Sequence, residues 1–116
     1  MNDEELKRYI DKEKALGRIR NNTKLFKMLL TTFLGDTHFE QMKKEIAAAD
    51  YEAAAKSAHA IKGVAGNLSL TAIFELSQAL EACLKANSGV EESLATFSGA
   101  YEETVKAVNI VMQGLA

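Results

Sequence analysis

The sequence predicts an all-α fold: an antiparallel up-down four-helix bundle with additional short N-terminal helices. Three observations carry this reading. The 116 residues include no proline, so no residue locks φ or removes a backbone N–H inside a helix. Apolar residues recur at three- and four-residue steps along almost the whole chain and nowhere alternate for long, which is the period of a helix face and not of a strand. The breaks between these runs are short, and short connections make neighbouring helices antiparallel. A chain of this length can bury one core and is too short for two ordinary ones. It is therefore expected to be one domain, 1–116, with N-terminal helices in 1–35 packing on a four-helix bundle in 36–116.

The elements follow in order. One short helix is expected within Glu4 to Ile19, with Gly17 near its end. Asn21 and Asn22 offer N-caps for a segment carrying Leu25, Phe26, Leu29, Leu30 and Phe33, which Gly35 stops. Asp36 is the expected cap of the next helix, running to about Ala49, and Asp50 that of the one after it. This helix has the stripe Tyr51, Ala54, Ala58, Ile61 and Ala65 and ends around Gly66-Asn67. Ser69 is expected to start another, with Ile73, Leu76, Leu80, Cys83 and Leu84 inward, closing near Asn87. Ser88 and Glu91 have the spacing of a capping box for the last helix, whose stripe is Leu94, Phe97, Tyr101, Val105, Val108 and Met112. Gly99 inside that helix is expected to serve close helix packing, and Cys83 to be a buried thiol.

Composition narrows the function. With 14 basic and 16 acidic residues the net charge is −2, so no basic field exists to hold nucleic acid. The chain contains one cysteine and two histidines, too few for a multi-cysteine or His-rich metal site. There is no glycine-rich phosphate loop. The acidic opening Asp3-Glu4-Glu5 is followed by no apolar signal region, and no run reaches the length of a membrane span. A cytoplasmic protein without membrane contact is expected.

One helix face remains unexplained by folding. His59 follows Ala58 and is turned about 100° from the apolar stripe. Its neighbours three and four residues away are Ala55, Lys56, Lys62 and Gly63, two tiny and two cationic. Gly63 sits inside the helix, where glycine costs about 1 kcal/mol relative to alanine. Clearing space around an imidazole makes sense where another protein's concave site closes over it. An exposed neutral imidazole is a nucleophile able to take a phosphoryl group on one ring nitrogen. Lys62 can meet the charge of that group and Lys56 can add to the field. Hairpin arithmetic with the turn near Leu68 sets Gln78 to Glu81 alongside His59. Glu81 is the better acceptor for the second ring N–H, although it could equally pair with Lys85 on the solvent face. Lys56 reads more simply as a solvated lysine, and His38, without a lysine–glycine pair beside it, as plain surface.

The stretch Ala58-His59-Ala60-Ile61-Lys62-Gly63-Val64-Ala65-Gly66-Asn67-Leu68-Ser69-Leu70 resembles the signature of histidine-containing phosphotransfer (HPt) domains, and the likeness covers nearly the whole chain. The resemblance implies a helical bundle in which His59 is the phospho-acceptor, Lys62 its electrostatic support and Gly63 the clearance residue. Family members often carry Gln or Glu 22 positions after the histidine, here Glu81. The expected function is a phosphorelay carrier, with no ATP-dependent activity, that takes a phosphoryl group from a receiver-domain aspartate and passes it to another receiver. The expected partners are response-regulator receiver domains and a hybrid sensor histidine kinase, with Mg²⁺ supplied by the receiver, no cofactor of the chain's own, and a monomeric state. Ala55, Leu34, Phe39 and Met42 are candidates for the docking surface. Three other readings stand beside this one: the phospho-accepting domain of a larger histidine kinase, a receiver-binding adaptor without transfer, and a metal-dependent bundle enzyme. The last lacks a Glu three residues before either histidine.

Overall fold

The computed structural model describes residues 1–115. Seven helices follow one another, α1 (Asp3–Tyr9), α2 (Lys12–Arg18), α3 (Thr23–Leu34), α4 (His38–Ala47), α5 (Tyr51–Leu68), α6 (Thr71–Ala86) and α7 (Val90–Gly114), and there is no strand among the described residues. The helices α4 to α7 form the antiparallel bundle, with α5 packed between α4 and α6, and α6 against α7. Aromatic contacts close the ring between α7 and α4: Phe39 lies 5.3 Å from Phe97 and 4.4 Å from Tyr101, measured between ring centroids. The predicted stripes face the core: Ala54, Ala58, Leu80, Phe97 and Val108 are fully buried, while Tyr51, Leu76, Leu94 and Tyr101 are half-buried against it, and removing such apolar surface from water is the main term holding the helices together.

All three bundle corners close the same way. At each, one residue turns left-handed, at Ala49 (φ 57°), Ser69 (φ 54°) and Asn87 (φ 51°). The next N–H then reaches back five residues, from Asp50 to Glu45, Leu70 to Ala65 and Ser88 to Cys83. This is the Schellman closure, which satisfies helix carbonyls that would otherwise lack a donor. Asn87 is a residue that tolerates the left-handed region, whereas Ala49 and Ser69 carry no such signal.

Several expected termini are therefore corrected. Ser69 does not start α6; it is the left-handed C-cap of α5, and Leu70 stands at the α6 N-cap. The Ser88–Glu91 capping box does not form, because Gly89, itself at φ 69°, occupies the N-cap without a side-chain bond. Thr37, not Asp36, is the N-cap of α4, while Asp36 accepts the His38 backbone N–H at 2.7 Å. Asn22 and Asp50 do cap their helices, accepting from Leu25 and Ala53. Cys83 is half-buried, not fully enclosed. Gly99 is exposed and a Cβ there would meet nothing within 4 Å among the described residues, so close packing does not account for it.

The single helix expected in 4–19 is two. Ile10 breaks out in an extended conformation (φ −147°, ψ 122°) and is buried, and Asp11 caps α2. The break frees the Asp11 N–H for the Ser69 carbonyl, at 2.9 Å. From α2, the Arg18 guanidinium donates to the Gly66 carbonyl (2.8 Å), the Asn67 carbonyl (3.3 Å) and Ser69 Oγ (2.6 Å). On the other side Thr71 Oγ1 donates to the Arg8 carbonyl at 2.5 Å. The first two helices thus strap the α5–α6 corner, which sets the register of the two helices that carry the candidate site.

Candidate functional site

Ala54, Ala58, Ile61 and Ala65 bury one face of α5, and this turns His59 outward. Its side chain is 70% exposed, and Nδ1 lies 3.4 Å from Oε1 of Glu81, which comes from α6. That is a long hydrogen bond, with a definite direction. An ionised carboxylate only accepts, so Nδ1 carries the proton and the neutral ring keeps its lone pair on Nε2, the nitrogen away from Glu81. The second carboxylate oxygen, Oε2, accepts from the Lys85 ammonium at 3.0 Å. Glu81 therefore makes both contacts that its sequence position allows. Burial by itself would raise its carboxyl, but the hydrogen bonds from Lys85 and His59 and their positive charge outweigh this and hold it below the ordinary value of 4.5.

The other predicted residues fall on different sides of the ring. Lys56 lies with His59 and Glu81 on an open groove between α5 and α6, where Tyr51, Ala55 and Leu84 add apolar wall and Lys85 a second cation. Lys62 does not line that groove; its ammonium lies 5.6 Å from the centre of the Phe74 ring. Gly63 is exposed, and a Cβ added there would meet nothing within 4 Å among the described residues, so no packing within the chain demands glycine. Gly66 differs, since a Cβ there would come within 3.3 Å of the Phe74 ring. Gln78 is exposed, outside the groove and without a side-chain hydrogen bond among the described residues. Of the docking candidates, Phe39 and Met42 are corrected: both are core, joining α4 to the bundle, and cannot face a partner. Leu34 is exposed, and Ala55, though mostly buried, lines the groove. His38 sits on the surface with Nδ1 2.7 Å from Asp36.

Sequence reasoning passed over two groups. Spacing shows Lys85 only as a possible helical partner of Glu81, and Phe74 only as the residue one turn before Gln78 on the same α6 face. Their roles depend on how α6 lies against α5, which no local spacing encodes. Among the described residues no three His, Cys, Asp or Glu side chains converge as metal ligands would, and no helix is long and apolar enough to cross a membrane.

An exposed imidazole with Nδ1 facing a carboxylate, and with cations and an open shoulder beside it on a helical bundle, is an arrangement that suits a phosphoryl-carrier bundle. The Hpt domain family model matches residues 28–109. The chain belongs to the Hpt domain family, whose members are phosphocarrier modules of phosphorelays that interact with receiver domains and are not ATP-dependent enzymes. No curated protein and no solved structure matches it significantly.

Proposed function

We propose that the whole chain acts as one phosphotransfer domain in which His59 accepts a phosphoryl group from the phospho-aspartate of a receiver and hands it to a second receiver. The observation that carries this reading is the His59 ring itself: 70% exposed, with Nδ1 3.4 Å from Glu81, which leaves Nε2 as the nitrogen free to attack. Nε2 attacks the phosphorus in line. The N–P bond forms as the P–O bond to the aspartate breaks, and the aspartate leaves as a free carboxylate. The ring then bears positive charge, and its Nδ1 proton stays where it was, facing Glu81. The carboxylate beside it stabilises that charge, while Lys62 on one side of the ring, and Lys56 and Lys85 in the groove on the other, favour the phosphoryl oxygens. Mg²⁺ held by the receiver would neutralise further phosphoryl charge, and the chain needs no cofactor of its own. The Gly63 shoulder leaves room for the rim of the receiver's site. On this reading the protein works as a cytoplasmic monomer, with a hybrid sensor kinase supplying the first receiver.

The test is direct labelling. Incubation with a receiver carrying ³²P on its aspartate should move label to this chain within minutes, and His59→Gln should take none. Equal labelling of that variant would refute the assignment.

A further inference from the structure

Lys62 is half-buried and, among the described residues, has no carboxylate partner; the carboxylates of Glu40, Glu81 and Glu103 take Lys43, Lys85 and Lys106 instead. Its ammonium lies against the Phe74 ring, 5.6 Å from the centroid, within the range of a cation–π contact. Phe74 comes from the first turn of α6 and folds back across the corner onto α5. It stays 36% exposed, one of the few large apolar side chains left at the surface, while its neighbour Ile73 is fully buried. The ring rests on Gly66. A Cβ at that position would meet ring atom Cε2 at 3.3 Å, so the ring would have to give by a few tenths of an ångström, and Cδ2 at 3.5 Å, an ordinary contact. Gly66 and Lys62 are one helical turn apart, so a ring seated on the first reaches the ammonium of the second.

We propose that Phe74, seated on Gly66, is a positioning residue that holds the Lys62 ammonium beside the phosphoryl-accepting face. The inference rests on His59 being the acceptor and adds the device that keeps its cation in place. A lysine side chain loses much rotamer freedom when it is ordered. A carboxylate could order it, but would neutralise the charge and occupy its N–H donors. An aromatic face attracts the ammonium electrostatically and leaves the charge and the donors available to phosphoryl oxygens. This accounts together for an exposed phenylalanine, a glycine with a packing reason and a lysine with no counter-ion.

Transfer from a phosphorylated receiver should slow about two- to fivefold in Phe74→Leu, while Phe74→Tyr, which keeps the ring, stays near the wild-type rate. In a Lys62→Ala background Phe74→Leu should have no further effect. The same fold-loss in both backgrounds would mean a general structural role and would overturn the proposal, as would a wild-type rate for Phe74→Leu. A second readout needs no partner: the Lys62 side-chain resonances should be ring-shifted in the wild type and move towards random-coil positions in Phe74→Leu and Gly66→Ala. Unchanged resonances would overturn the contact itself. If the wild type takes no label, the phosphotransfer reading fails and Phe74's role in it fails too. If label is taken normally and only the Phe74 effects are missing, the positioning role alone fails.

Discussion

A glycine in a helix interior costs about 1 kcal/mol relative to alanine, and Gly63 stands well inside α5 with open space where a side chain would be. On the proposed function, stability and access pull in opposite directions at this residue. Gly63→Ala should raise the unfolding free energy by about 1 kcal/mol, read as a higher urea midpoint with an unchanged slope. Gly63→Leu should also stay folded, because its branches point into solvent, yet transfer from a receiver should fall at least tenfold as the leucine fills the space the partner needs. A folded Gly63→Leu protein that transfers at the wild-type rate would remove the clearance role. Gly66, three residues on, is the internal comparison: there the glycine answers to the Phe74 ring of its own chain.

At the scale of elements, what sets His59 opposite Glu81 is the α5–α6 corner. Helix periodicity orients each helix about its own axis, but the register between the two depends on where the chain turns. The left-handed Ser69 makes that turn with no glycine to ease it, and Arg18, from a helix 51 residues earlier in the chain, ties down Ser69 Oγ and the last carbonyls of α5. Charged hydrogen bonds of this kind contribute on the order of 1–2 kcal/mol. Arg18→Ala should lower stability by about that amount and speed amide exchange at Ser69 and Leu70 more than in the middle of α5. Uniform exchange with an unchanged urea midpoint would show that the strap contributes nothing.

The whole molecule is closed by an aromatic cluster in which Phe33, Phe39, Phe97 and Tyr101 join α3, α4 and α7. Burial, with Asp36 and Glu40 adding negative charge nearby, pushes the Tyr101 hydroxyl up from 10 to about 12. A group whose pKa is raised by folding stabilises the fold in its protonated form. This contribution is complete below pH 10 and is lost as the pH rises through 12, and solvent at the half-buried ring keeps it modest. Wild-type stability should therefore fall more steeply between pH 9.5 and 11.5 than that of Tyr101→Phe, measured by urea denaturation, and the late tyrosinate absorbance step should vanish in the variant. Parallel pH profiles would contradict the burial of this hydroxyl within the closed bundle.

Much of the fold and part of the site could be read from the chain without coordinates. The α5 stripe identified Ala54, Ala58, Ile61 and Ala65 as inward, and His59 follows outward because a helix advances about 100° per residue. Counting residues on either side of one turn was enough to bring Glu81 to His59, since both α5 and α6 rise uniformly. These inferences succeed because helix geometry is a local property. The rest has two causes. Ser69 reads as a helix start yet ends one, Asp36 and Ser88 read as caps yet yield to Thr37 and Gly89, and Phe39 and Met42, which spacing alone does not sort between docking surface and core, lie in the core. Ser69 and Phe39 answer to partners far away in the chain, the strap from Arg18 and the aromatic faces of α7, whereas Asp36 and Ser88 yield to the local turn, where Asp36 takes the His38 N–H and Gly89 is left-handed. The sequence by itself determined which residues form helices, which faces are apolar and where the imidazole points. Only the tertiary structure decided that Lys62 rests on Phe74, that Glu81 is shared between His59 and Lys85, and that Gly66 is a seat while Gly63 is open space. Those are relations between helices, set by the packing of the corner and the closing of the bundle, and helical periodicity carries no information about them.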